Sequence, residues 1–142
     1  MSDQTSPDRY LVQYNLYGDP LDIDALLAQS QPSAQYEAWH KGDARGPARQ
    51  AKSSGIRLEV IEGDRPDAIV SAVDAFLERE TVFLTHAARY TSETVYSVLS
   101  CAMWVYANVP TTIWLPSLTA RRMSELGIGW EVTGYPCSDE HP

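Results

Sequence analysis

The amino-acid sequence predicts an α+β domain, with a mostly antiparallel sheet of about five strands packed against three to four helices. Three observations carry that prediction. Tyr10 to Tyr17 (YLVQYNLY) and Ile56 to Ile61 (IRLEVI) are strand-like, the second alternating apolar and polar residues with period two. After Pro66, Ile69, Val70, Val73, Phe76 and Leu77 recur at the spacing of one helix face. Thr94 to Tyr106 (TVYSVLSCAMWVY) is β-branched, aromatic and nearly free of charge, as a long central strand is.

The remaining elements follow in chain order. Gly18-Asp19-Pro20 stops the first strand and starts a helix, with Asp19 suited to the N-cap and Pro20 to the first helical position. Ile23, Leu26 and Leu27 give this helix its apolar side, and Pro32 closes it. Ala34 to Trp39 predicts a short strand, and Lys41-Gly42-Asp43 a turn. A long loop follows to Gly55. Val82, Phe83, His86, Ala87 and Tyr90 suggest a further helix after Glu80-Thr81, although Thr81 to Leu84 also reads as a strand. Asn108-Val109-Pro110 leads to a short strand over Thr111 to Leu115.

The last helix has Thr119 as its N-cap, with Leu118 and Met123 forming a hydrophobic staple and Gly127 capping the other end. Arg121 and Arg122 then fall in the first turn, where the helix dipole disfavours positive charge. Ile128 to Tyr135 is the final strand, ended by Pro136. The order is β-α-β-β-α-α-β-α-β. Residues 1–9 are expected to be a flexible segment, 10–136 the single domain, and 137–142 a flexible tail.

At 142 residues the chain suits one domain with a core of its own. No apolar run reaches the length of a membrane span, and the polar start predicts no export signal. Two cysteines without an export signal suggest a cytoplasmic protein with free thiols, Cys101 in the core and Cys137 near the tail. A net charge of −8 argues against nucleic-acid binding. The charge is uneven. Between Lys41 and Arg57 five basic residues face one acid, so this segment is +4 and the remainder of the chain −12. Such an acidic body steers basic partners toward itself.

Catalytic equipment is missing from the pattern. His40, His86 and His141 share no metal-ligand spacing with one another or with the cysteines. The glycines form no phosphate-binding fingerprint, and there is no nucleophile elbow. No cofactor, metal or catalytic residue is therefore expected, although a Cys101–His86 pair assembled in space stays open. Of fourteen aromatic residues, eight are Tyr and four Trp. These side chains carry a polar edge and suit half-wet surfaces. Trp104 and Trp130 fall in strands and are expected in the core. Trp39, Lys41, Asp43, Arg45 and Trp114 are the expected partner-binding residues, since exposed aromatics and arginines make binding hot spots.

Residues 10–136 resemble the bacterial domain of unknown function numbered 4279. The resemblance rests on Gly18-Asp19-Pro20-Leu21-Asp22-Ile23, the Lys41-Gly42-Asp43 turn, the helix after Pro66, the Leu118-Thr119 to Leu126-Gly127 helix, and Gly134-Tyr135-Pro136. It implies an α+β fold and supplies no catalytic residues. By analogy, small acidic bacterial proteins of this kind resemble immunity proteins, which neutralise a cognate toxin. The leading expectation is a non-catalytic cytoplasmic binding protein of that sort, with a basic toxin domain as partner. The alternative is a small-molecule or enzymatic domain that takes an anionic ligand through loop 41–57. A homodimer through an exposed edge strand is a third reading.

Overall fold

The central strand of the fold is the first one. In the computed structural model, which describes residues 9–106 and 112–137, β1 (Arg9–Gly18) pairs on both sides. Its alternation is complete: Tyr10, Val12, Tyr14 and Leu16 are buried, while Leu11, Gln13, Asn15 and Tyr17 point to the opposite face. β1 runs antiparallel to β3 (Ser54–Gly63) and to β4 (Val95–Tyr106). β2 (Tyr36–Trp39) adds antiparallel to β3, and β5 (Gly129–Cys137) adds parallel to β4. The five-stranded sheet has the order β2-β3-β1-β4-β5 and is mostly antiparallel, as predicted. A bulge leaves Val60 between the residues paired with Val12 and Gln13.

All four helices cover one face. α1 (Ile23–Gln29), α2 (Ile69–Arg79), α3 (Thr81–Ala88) and α4 (Ser117–Glu125) lay Ile23, Leu26, Val73, Phe76, Leu77, Phe83 and Met123 against the inward residues of the strands. Removing such side chains from water contributes about 1.5–3 kcal/mol each. Phe76 meets the ring of Tyr14 at 5.8 Å, and the Tyr14 hydroxyl is satisfied inside the core by Ser97 Oγ at 2.7 Å. Cys101 is buried as expected, and burial pushes its thiol up to about 11.

Several local expectations are corrected. Leu21 N–H donates to the Gly18 carbonyl and closes a turn across Asp19-Pro20, whose peptide bond is cis. The helix therefore begins later, with Asp22 as the cap accepting from Ala25 N–H at 3.0 Å. A single 3₁₀ turn, Pro66–Ala68, precedes α2, and Thr81 to Leu84 is helical rather than extended. Loop 40–53 is folded back on itself: Gly42 N–H donates to the Ala51 carbonyl, Ala51 N–H donates to the Asp43 carbonyl, and Ala44 bridges Gln50.

Thr119 is not a cap. α4 starts two residues earlier, and Thr119 Oγ1 is buried, donating to Asp74 Oδ1 of α2 at 2.8 Å. Leu118 is mostly exposed and forms no staple. The earlier start moves Arg121 and Arg122 out of the first turn, where they pair with Glu125 and Asp74. Gly127 does cap the helix, at φ +71° with Ile128 N–H bonded back to Met123 O. Residues 112–116 are irregular instead of a strand, and Asn108, Val109, Pro110 and Thr111 lie outside the described residues. Pro136 sits inside β5 and does not end it; the chain's predicted flexible ends lie outside the described residues from 1 to 8 and from 138 to 142, while Arg9 and Cys137 are strand residues.

A candidate binding face on the uncovered side of the sheet

Among the described residues the helices leave the second face of the sheet uncovered, and strand register fixes what it presents. One row runs Trp39, Gly55, Tyr17, Tyr96 from β2 to β4. The next holds Glu37, Arg57, Asn15 and Val98. A third carries Glu59, Gln13, Ser100 and Glu131 across to β5. At the far end Arg9, Trp104 and Tyr135 stand side by side. Aromatic groups thus occupy both ends, with a polar middle between them.

The polar middle is internally paired. Arg57 Nε donates to Asn15 Oδ1 at 3.0 Å, Ser100 Oγ donates to Glu131 at 3.1 Å, and Arg9 binds Glu62 at 2.9 Å. The aromatics are exposed: Tyr96 by 52%, Tyr135 by 46%, and Tyr17 and Trp104 by 39% each. Trp104 stacks on Tyr135 with ring centres 5.6 Å apart, and Tyr17 meets Tyr96 at the same separation. Trp104 is therefore a surface residue, against the expectation that placed it in the core; Trp130 is half-buried beside the core. The strand's outward positions are Tyr96, Val98, Ser100, Ala102 and Trp104, against Val95, Leu99, Cys101 and Met103 inward.

The expected binding residues divide. Trp39 lies over Gly55, with Arg45 4.6 Å and Arg57 5.4 Å from its ring centre. Both arginines lie near Glu37, at 3.8 and 3.4 Å. Lys41 leaves this cluster to pair with Asp19 at 3.1 Å. Asp43 has a structural job, since Oδ2 accepts from His40 N–H at 2.7 Å and shapes the turn. The hydrogen bond that the His40 ring donates to Asp24, and then the charge of that carboxylate, raises the pKa of His40, tying the same turn to α1. Trp114 is 71% exposed on the segment entering α4, apart from the Trp39 cluster. Tyr17, Tyr96 and Tyr135 were not anticipated: β1 and β4 are equally aromatic or aliphatic on their buried side, and β5 has no fully buried residue to tell its two sides apart.

Among the described residues no group of three His, Cys, Asp or Glu side chains is arranged to hold a metal ion. No hydrogen bond joins Cys101 to His86, whose Nδ1 is buried without a partner among the described residues. No described helix is long and apolar enough to cross a membrane. No protein-family model matches the chain, and no curated protein matches its sequence.

Proposed function

We propose that this chain is a non-catalytic binding domain whose partner docks on the uncovered face of the sheet. The observation that carries the proposal is the exposure of Tyr17, Tyr96, Trp104 and Tyr135 on one face that no helix covers. Rigid aromatics held in ring pairs give up little conformational freedom on binding and make strong anchors. The charge of −8 favours a basic protein partner and disfavours a phosphate backbone. Such a partner fits the immunity-protein analogy, in which a basic toxin domain is neutralised, and the resemblance to the 4279 family enters on its motifs alone. The proposal includes a cytoplasmic home, supported by two cysteines that are not bridged.

The test is affinity capture from the source cell with the full chain and with a Trp104→Ser/Tyr135→Ser variant, both checked for fold by circular dichroism. The native chain is expected to retain one dominant basic protein, less at high salt. The variant is expected to bind it at least about 30-fold more weakly. Equal retention by both proteins would remove the uncovered face from the account.

A further inference from the structure

The basic corner of the same face holds a cavity that a basic partner would avoid. It has a volume of about 370 Å³ and is walled by Trp39 and Tyr17, within the size range of small-molecule sites. Arg45, Lys52 and Arg57 converge on it, three of the eleven cations in a chain of charge −8. Their donors are only partly used. Arg57 gives one short bond to Asn15 and a longer one of 3.4 Å to Glu37, while Arg45 reaches Glu37 only at 3.8 Å. Among the described residues Lys52 has no carboxylate at ion-pair distance, unlike its neighbours Lys41, Arg45 and Arg57. A guanidinium has five N–H donors, so most remain available here.

The opposite wall is different. Ser100 and Glu131 line the cavity from β4 and β5, with the Glu131 carboxylate accepting from the Ser100 hydroxyl. The site is therefore polarised, cationic toward β2 and β3, where Trp39 also lies, and anionic toward β5, with the Tyr17 ring between. A negatively charged head belongs at the cationic wall, where bidentate contacts to Arg are strongest. The uncharged body of the ligand then lies on Tyr17.

We propose that this corner binds a small oxyanion, a carboxylate or a phosphate monoester carried on an apolar or aromatic body, with Arg45, Lys52 and Arg57 holding the anionic head. The proposal goes beyond the protein partner; Tyr17 is common to both surfaces, but Trp104 and Tyr135, the residues varied in the capture experiment, lie at the other end of the face. A ligand here would also neutralise part of the +4 segment of an otherwise acidic chain.

The test uses three probes that share one ring: benzoate, phenyl phosphate and benzyl alcohol. Each is titrated into the ¹⁵N-labelled full chain while the Trp39 indole N–H and the Arg45 and Arg57 Nε–H signals are followed by NMR. Benzoate or phenyl phosphate is expected to saturate these signals with a Kd of about 1 mM or tighter, and benzyl alcohol is not. Whichever head binds more tightly distinguishes carboxylate from phosphate. Arg45→Ala/Lys52→Ala is expected to weaken binding about tenfold. Glu131→Gln, which removes the opposing carboxylate, is expected to tighten it roughly threefold. Binding of benzyl alcohol as tight as that of the oxyanions, saturation by neither oxyanion, or an unchanged affinity in both variants would overturn the proposal. None of these outcomes bears on the capture experiment with the Trp104 and Tyr135 variant.

Discussion

Trp39 lies flat on the sheet because residue 55 has no side chain. β2 and β3 put the two residues opposite each other, and a methyl group built on Gly55 would overlap the indole. The ring is then covered from above by Arg45 and Arg57, so one glycine determines where the basic loop rests. Gly55→Ala is predicted to lift Trp39 off β3 and loosen the loop while leaving the core intact. The Trp39 indole N–H resonance should move and the hydrogen-exchange protection of Ala51 N–H should fall. An unmoved resonance would show that the stack tolerates a methyl and that its position is set elsewhere. The sequence shows Ser53-Ser54-Gly55 only as a turn-like cluster, since the reason for the glycine lies on another strand.

At the scale of elements, the junction between α2 and α3 is organised by one buried carboxylate. Glu80 is 2% exposed. Its Oε1 accepts from Ser33 N–H, and its Oε2 from Ser33 Oγ, Ala34 N–H and the Arg79 guanidinium. Burial alone would raise the carboxyl pKa, but the hydrogen bonds from Ser33 and Arg79 outweigh it and hold the value below the usual one. A lowered folded pKa means that this stabilisation is fully present above the unfolded pKa, near 4.5, and is lost as pH falls through the folded value. Glu80→Ala should cost about 2–3 kcal/mol at neutral pH, because it strands the donors of residues 33 and 34. The same variant should flatten the stability loss of the native chain below about pH 4.5. Urea unfolding at several pH values measures both, and an unchanged acid limb would remove Glu80 as its cause.

The elements most legible in the sequence are those set by local pattern. The period-two strands, the helix after Pro66 and the Gly127 cap all depend on neighbours within a few residues, and each is found. The roles of Thr119 and Glu80 depend on distant contacts. Thr119 looks like a cap, yet it answers to Asp74, and Glu80 answers to Ser33, each partner more than forty residues away. The start of α1 failed in the same way at shorter range, where a closed turn at Gly18–Leu21 displaced the cap to Asp22. The sequence pointed to the basic loop, but only the fold shows that Trp39 and Arg45 converge while Lys41 pairs with Asp19 and Asp43 shapes the turn.

For the whole molecule, the decisive asymmetry is between the two faces of the sheet. One buries the core under four helices, and the other carries exposed aromatic pairs at both ends of a polar ladder. A face of that kind is costly to leave in water unless something covers it. Whether the partner covers this face is read by hydroxyl-radical footprinting of the captured complex. Tyr96, Trp104 and Tyr135 are expected to be protected on binding, with Val82 of α3 and Leu118 of α4, exposed on the helical side, unchanged. Protection of Val82 and Leu118 with Tyr96, Trp104 and Tyr135 still reactive would contradict it.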